Sequence, residues 1–222
     1  MDWSALTLSL ELAAATVVLL VPLAVLVGRA LATGTFPGKA LTEALVALPL
    51  VLPPTVVGFY LLTAFGARSP LGRAFAAVTG ETLAFSFEGL LVASVIVNVP
   101  FAVQPIQRAF ESVPNDLREA AACCGMTRLR TLALIELPLA WPGIVSAAVL
   151  SFAHTLGEFG VVLMVGGNIP HETRTLSLSI YDRVQALDNR GAGVMAATLL
   201  AVALVTLALT NRLARSDRGR RA

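Results

Sequence analysis

Residues 119–138 have the sequence EAAACCGMTRLRTLALIELP, a polar and helix-forming stretch that lies between two long apolar runs. The whole chain is 56% hydrophobic and only 14% charged, with a mean hydropathy of +0.79. This composition is too apolar for an ordinary soluble domain of 222 residues. We therefore expect the lipid bilayer to be the solvent for most of the chain, with residues 119–138 outside it.

Five apolar runs are long enough to cross a membrane as helices, since about 20 residues cover roughly 30 Å of hydrocarbon. The runs are continuous and do not alternate, which favours helices over the strands of a membrane barrel. The sequence therefore predicts an all-α membrane protein with a single transmembrane domain over residues 1–222. Its predicted spans lie near residues 6–31, 44–65, 90–107, 144–166 and 194–213.

The distribution of Lys and Arg predicts the orientation of the spans, because basic residues concentrate in cytoplasmic segments. With the N-terminus outside and the C-terminus inside, eleven of the sixteen basic residues face the cytoplasm. The start MDWSA has no basic residue, so we expect the first run to be retained as a span and not removed as a signal peptide. The basic tail, residues 214–222, suits contact with anionic membrane lipid better than binding of nucleic acid.

Residues 109–140 carry the signals of two short helices joined at a glycine. Pro114 and Asp116 suit the start of the first helix, and Gly125 suits its C-terminal cap. A second helix is predicted to begin after Thr127 and to end before Pro138. Such a pair on the cytoplasmic face is shaped to dock a partner, and a plain connecting loop is the alternative.

The sequence predicts no catalytic, metal or cofactor site. Cys123 and Cys124 are adjacent, which suits neither a loop-closing disulfide nor zinc ligation, so we interpret them as small packing residues. The nucleotide-binding pattern G-x-x-x-x-G-K-[ST] is absent from the chain. We therefore expect no enzymatic activity from this chain.

Prolines and polar residues inside the predicted spans are candidates for a path through the membrane. Pro53, Pro54 and Gly58 must bend or break the second span, which then either borders a path or is an ordinary packing kink. In the fourth span, Ser151, His154 or Thr155, and Glu158 recur at helical spacing and so share one predicted face. Further candidates are Asn98 in the third span and, as a packing residue, His154.

The 119–138 stretch resembles the EAA loop of the permease subunits of bacterial ABC importers, and we call it the EAA segment. The matching residues are Glu119, Ala120, Ala121, Gly125, Ile135, Leu137 and Pro138. The resemblance implies the type I importer permease fold in a bacterial cytoplasmic membrane, with residues 109–140 as a cytoplasmic coupling loop. It also implies a homodimer that works with two cytoplasmic ATPase subunits and an extracytoplasmic binding protein.

Four further segments resemble the molybdate permeases of the molybdate, tungstate and sulfate branch of these importers. They are TFPGKAL (residues 35–41), LPLVLPPTVVGF (48–59), LGEFG (156–160) and GNIPHETRT (167–175). The resemblance implies transport of molybdate, with tungstate or sulfate and thiosulfate as alternatives within the family. Sulfate permeases are usually longer. A membrane scaffold without transport, or a secondary transporter, is a more distant alternative.

Charge limits what the predicted spans can do with a dianion. No Lys or Arg lies in the interior of any of the five predicted spans. A strong dianion site needs arginine or many aimed N–H groups, so we expect a weakly interacting passage. Glu158 would repel the dianion, and we predict a structural or gating role for it.

The segment after the fourth span carries one apolar stripe, formed by Leu176, Ile180, Val184 and Leu187. This stripe predicts an amphipathic outer helix or a simple linker.

Overall fold

The computed structural model describes the backbone of residues 1–219 and side chains as far as Thr206, so Arg220 and Arg221 of the basic tail lie outside the described residues. Residues 1–219 are mostly helical and contain no strand, which confirms the predicted all-α class. The helices are α1 (Trp3–Thr33), α2 (Lys39–Val51), α3 (Pro54–Phe65), α4 (Pro70–Thr79), α5 (Phe87–Glu111), α6 (Asn115–Cys123), α7 (Arg128–Thr131), a π-helical turn (Leu132–Glu136), α8 (Leu137–Gly157), α9 (Gly160–Gly166), α10 (Leu176–Gln185) and α11 (Asn189–Gly219).

Four helical segments in the described part of the chain are long and apolar enough to cross a membrane. They are Trp3–Thr33, Phe87–Glu111, Arg128–Gly157 and Asn189–Thr206. Helices α2 and α3 together qualify as a fifth span, although their axes differ by 109°. The structure therefore contains four or five candidate spans, in agreement with the predicted number.

The second predicted span is broken at Leu52 and Pro53. Both residues have extended backbone, with ψ angles of 138° and 137°. A residue that precedes a proline is pushed out of the helical region, and Leu52 and Pro53 both precede one. Pro54 can begin α3 because the first turn of a helix needs no N–H donor. The prolines thus produce the sharp bend between α2 and α3.

The fourth predicted span begins earlier than the sequence indicated. The helix that starts at Arg128 was expected to end before Pro138, but it continues through α7, the π-helical turn and α8 to Gly157. The widened turn at Leu132–Glu136 ends two residues before Pro138, which lacks the N–H that a regular helical turn uses. The prediction of a helix end at this proline is therefore wrong.

The fourth predicted span also ends differently, because α8 stops at Gly157 and a separate short helix, α9, follows. Glu158 has extended backbone, with a ψ angle of 131°. Because this ψ angle redirects only the residues that follow, the Glu158 side chain keeps its helical spacing, and its Oε2 lies 3.8 Å from Nε2 of His154, one turn earlier. The two glycines of the LGEFG stretch, Gly157 and Gly160, flank this second break.

Helices α1, α5 and α8 pack on one another and form the centre of the molecule. Their shared core is almost entirely aliphatic and consists of Leu20, Ala24, Leu31, Ala102, Val103, Ile106, Phe110, Ala140, Ile144 and Ala147. A second core joins α3 and α9, including Val57, Phe65, Val161 and Val165. The EAA segment lies at the end of this bundle where α1 and α5 finish, and we call that end the loop side.

The two helix breaks are neighbours in space. A Cβ atom added to Gly160 would lie 2.8 Å from the Cβ of Pro54, and one added to Gly58 would lie 2.8 Å from the Cβ of Met164. Helices α3 and α9 can therefore approach this closely only because glycine occupies both positions. The LPPTVVG and LGEFG stretches form one structural unit.

The predicted outer helix is present as α10, and it is fastened to the start of α1. The Leu176 N–H donates to Ser9 Oγ at 2.8 Å, and Ser179 Oγ donates to Asp2 Oδ2 at 3.0 Å. Partial burial raises the pKa of Asp2, but hydrogen bonds, the first of them from the Ala5 N–H, outweigh this effect and hold the pKa below its usual value. Helix α10 therefore lies opposite the loop side.

The predicted apolar stripe of α10 is wrong in its membership. Leu176 is buried together with Leu178 and Ser179, whereas Val184 is exposed. Leu187 lies beyond the helix, has a φ of +60° and is 85% exposed. Helix α10 ends at Gln185, before Leu187, so the apolar pattern in the sequence is longer than the helix.

We expect Gly160→Ala to destabilise the protein, because its methyl group would meet the rigid ring of Pro54. Overpacking of this kind costs about 1–3 kcal/mol. The matched control is Gly157→Ala, since a Cβ there has no neighbour within 4 Å. Thermal unfolding of the two variants in the same detergent measures the difference. An equal loss of stability in both variants would contradict the close approach of α3 and α9.

Candidate functional site

The EAA segment is attached to the bundle by a buried carboxylate. Glu136, in the π-helical turn, has only 2% of its side chain exposed. Its Oε2 accepts from Arg29 Nε at 2.5 Å and its Oε1 accepts from Arg118 Nε at 2.9 Å. Arg29 belongs to the last part of α1 and Arg118 to α6. One carboxylate therefore joins three separate parts of the chain.

Arg118 is held in place by more than this ion pair. Its Nη2 donates to the Phe110 carbonyl at 2.8 Å and its Nη1 donates to the Val113 carbonyl at 3.2 Å. These carbonyls lie at and just beyond the end of α5, where a helix has unpaired acceptors. The Arg118 guanidinium thus fixes α6 against both α5 and the base of α8. A cavity of about 390 Å³ lies beside this bridge, with Arg128 also in its wall.

The seven EAA residues fall into two groups. Glu119 and Ala120 are exposed on α6, whereas Ala121 is buried beneath them. Gly125 has a φ of +72°, which glycine adopts without strain, and its N–H donates to the Ala122 carbonyl at 2.9 Å. The second group consists of Ile135, Leu137 and Pro138, which lie in and after the π-helical turn. Helix α6 therefore presents a surface, while the second group belongs to the span.

Several predicted pathway residues meet between α5 and α8. Asn98 Nδ2 donates to Thr155 Oγ1 at 3.0 Å, and Asn98 Oδ1 lies 3.2 Å from His154 Nδ1. The His154 ring stacks on Phe101 with centroids 4.0 Å apart. The buried Ser151 hydroxyl has no hydrogen-bond partner among the described residues. These contacts form a polar layer inside an otherwise apolar interface.

Glu158 satisfies the backbone at the second break. Its Oε1 accepts from the Val161 N–H at 3.0 Å, within the first turn of α9. Its backbone carbonyl accepts from Ser177 Oγ at 2.8 Å, and its Oε2 lies 3.8 Å from His154 Nε2. The carboxylate therefore offsets unpaired N–H groups at a helix start. These contacts favour the structural role that the sequence indicated.

The bridge between Arg29, Glu136 and Arg118 was not predicted from the sequence. Glu136 was part of the IELP stretch but not of the family signature, and Arg29 was counted only as a charge at the end of the first run. The available signal was the presence of an acid and two bases at the same membrane boundary. Their opposite charges could have suggested that they pair, but the sequence does not give the geometry of the contact.

No group of three or more His, Cys, Asp or Glu that could hold a metal exists among the described residues.

The architecture defines a class of protein. An apolar helical bundle with two adjacent helix breaks, and a helix–glycine–helix segment fastened to one end, is suited to membrane transport. The family model described as "Binding-protein-dependent transport system inner membrane component" matches residues 20–221. The chain belongs to this family, which confirms the identification as an importer permease.

Relatives and solved structures agree with this membership. The chain is 44% identical to the Molybdenum transport system permease protein ModB of Azotobacter vinelandii, covering 93% of this chain and 91% of that one. It is 36% identical to the Sulfate transport system permease protein CysT of Salmonella typhimurium, covering 84% of this chain but 66% of that one. A bacterial alginate ABC transporter, solved with a substrate-bound periplasmic protein, has a TM-score of 0.78 at 19% identity, covering 96% of this chain and 78% of that chain. This last likeness shows the fold.

We expect Glu136→Gln to destabilise the protein, because two partly buried guanidinium groups would lose their carboxylate. Removal of one partner from such a network costs about 1–3 kcal/mol when the remaining charges keep some access to water. The matched control is Glu119→Gln, since Glu119 is exposed on the same segment. Urea unfolding in detergent checks the difference. Equal unfolding midpoints for the two variants would contradict a stabilising bridge.

Proposed function

We propose that this chain is the membrane permease subunit of a bacterial ABC importer that passes molybdate across the cytoplasmic membrane. The observation that carries this proposal is the 44% identity to the A. vinelandii molybdenum permease over almost the full length of both chains. The permease supplies the path, and ATP hydrolysis takes place in separate ATPase subunits. This division of labour agrees with the absence of the P-loop pattern from the sequence.

The working assembly is proposed to contain two copies of this chain, two cytoplasmic ATPase subunits and an extracytoplasmic molybdate-binding protein. The family description, which names dependence on a binding protein, supports the last component. The exposed Glu119 and Ala120 on α6 support the ATPase contact, because they leave the coupling helix free to seat in a partner. The same assembly requires the loop side to face the cytoplasm, with the N-terminus outside and the C-terminus inside.

Movement of the ATPase subunits can reach the membrane through the Glu136 bridge. Displacement of α6 pulls Arg118, and the Glu136 carboxylate passes this displacement to Arg29 on α1 and to the base of α8. Helix α8 has 21 residues and so extends roughly 30 Å, from the bridge to the second break. At that break, Gly160 is packed against Pro54 at the first break. We propose that the paired breaks, including Pro53, Pro54, Gly58 and Glu158, form the gate that this motion opens.

The passage is proposed to bind the anion weakly. The interiors of the predicted spans contain no Lys or Arg, and the polar layer of Asn98, Ser151 and Thr155 offers only neutral groups. Neutral donors hold a dianion less firmly than guanidinium groups do. Capture therefore belongs to the binding protein, and the permease releases what it receives.

Transport of sulfate or tungstate is the second candidate function. Its support is the 36% identity to the S. typhimurium sulfate permease, but this chain covers only 66% of that relative's length. The molybdenum relative is matched over 91% of its length. Identity and coverage thus both favour molybdate. The membrane scaffold without transport has no support from the family description.

We expect labelled molybdate uptake to depend on this chain together with its binding protein and ATPase. In cells lacking their own molybdate importer, the complete system should restore uptake. Excess unlabelled molybdate and tungstate should compete strongly and sulfate weakly, because the last anion is smaller. Strong competition by sulfate at equal concentration, or uptake of sulfate in preference to molybdate, would overturn the molybdate assignment.

We expect the two native thiols to report both orientation and docking. Cys123 and Cys124 are the only cysteines and both are exposed. A membrane-impermeant maleimide should label them in inside-out vesicles but not in intact spheroplasts, and ATPase subunits should protect them. As a control, Leu187→Cys in a chain with both native cysteines replaced by serine should label from the opposite side without protection. Labelling of the native thiols from outside would overturn the proposed orientation.

A further inference from the structure

A groove of about 590 Å³ runs between α5 and α8 and opens on the surface of the chain. Its walls include Phe101, Gln104 and Arg108 from α5, and Gly143, Ser146 and Leu150 from α8. Residues at spacings of three and four lie on one face of a helix. The groove therefore lies between two facing helical stripes, with Leu50 of α2 also in its wall, and is not a gap between loops.

The floor of the groove is a close crossing of the two helices. A Cβ added to Gly143 would overlap the Cβ of Ala109 and lie 3.1 Å from the Pro105 carbonyl oxygen. The small residue at position 143 thus lets α8 lie almost on the backbone of α5. Side chains from both helices can then stand along the sides of the crossing. The groove is a persistent feature of the packing.

One end of the groove leads to the paired helix breaks. Phe101, in the wall of the groove, stacks on His154, which is one turn further along α8 than Leu150. His154 in turn lies beside Asn98 and 3.8 Å from Glu158 at the second break. Polar and aromatic residues therefore connect the proposed gate at the helix breaks with this end of the groove.

The other end of the groove is marked by Arg108. Seven residues separate Phe101 from Arg108, so the wall of α5 extends roughly 10 Å toward the loop side. Arg108 is exposed, and its guanidinium makes no hydrogen bond or ion pair with any described residue. Gln104, one turn closer to the gate, likewise has no described side-chain partner. Two sets of free N–H donors thus face the same groove.

The chemistry of these donors suits a small oxyanion. The planar guanidinium fork matches two oxygens of a tetrahedral anion, and an amide N–H can donate to a third. Ser146 Oγ already donates to the Pro142 carbonyl at 2.8 Å, so its proton is not available. No carboxylate lines this groove, in contrast to the cavity beside Glu136, where Arg29 and Arg118 are already paired.

We propose that Arg108 and Gln104 form a low-affinity oxyanion subsite at the cytoplasmic end of the transport path. This inference rests on the proposed function and adds the place where the anion leaves the membrane interior. Since Arg108 is in contact with water, its attraction for an anion is screened. A screened cation draws the anion out of the uncharged passage without retaining it.

The test uses the complete transporter in proteoliposomes, with molybdate uptake and ATP hydrolysis measured on the same sample. Arg108→Gln should lower the uptake rate about tenfold while ATP hydrolysis remains near the wild-type rate. Arg108→Lys should retain much of the uptake, because it keeps the charge but loses the fork. Gln104→Glu should lower uptake more than Gln104→Leu, since it places a negative charge in the groove.

The matched control is Lys39→Gln, which removes one positive charge from the same side of the bundle, outside the groove. It should leave uptake unchanged. Wild-type uptake in Arg108→Gln would overturn the subsite, as would a parallel fall of uptake and ATP hydrolysis, which indicates a coupling or structural role. If the wild-type transporter moves tungstate or sulfate but not molybdate, the molybdate assignment fails and the same variants decide the subsite with that anion. If it moves none of the three, both proposals fail.

Discussion

The buried carboxylate of Glu136 is the constraint on which the arrangement of the loop side depends. Burial of a charge is expensive unless opposite charge and hydrogen bonds compensate for it. Here Arg29 and Arg118 compensate from two different helices, at 2.5 Å and 2.9 Å. Such networks often add little net stability relative to apolar residues of similar volume. Their physical consequence is geometric, because Arg118 holds α6 against the same carboxylate that Arg29 of α1 binds.

This constraint acts at a distance because α8 is a continuous helix between the bridge and the second break. A helix transmits displacement along its axis far better than a loop, whose dihedral angles can absorb it. The π-helical turn keeps the chain helical past Pro138, so Glu136 and Ser151 belong to one rigid element. At the far end, Gly160 packs closely on Pro54, so we expect a displacement of α9 to move α3 as well. Coupling through packed elements of this kind requires no change in the apolar core between α1 and α5.

The sequence predicted that the chain lies in a membrane, how many spans it has and where the second span breaks, at Pro53 and Pro54. These features depend on hydropathy and on proline chemistry, which are local properties. It failed where continuity depended on tertiary context. Pro138 looks like a helix end in isolation, whereas a widened turn accommodates it in the folded chain. The spacing of Glu158 placed it near His154, but it did not show that the helix ends at Gly157 and that a separate helix follows. The Arg29–Glu136 pair spans 107 positions, and no local pattern reports a contact of that separation.

The second break also explains how a carboxylate can lie beside a proposed anion path. Backbone groups that leave a helix within a membrane must find other partners, since hydrocarbon offers none. Polar side chains from distant segments supply them: Ser177 donates to the Glu158 carbonyl, and Glu158 Oε1 accepts from the Val161 N–H. Because that oxygen is directed at the start of α9, the positive end of the helix offsets part of its charge. A carboxylate that accepts this hydrogen bond repels a passing dianion less than a free carboxylate does. The same residue can therefore satisfy the backbone at the break without blocking the passage of anions.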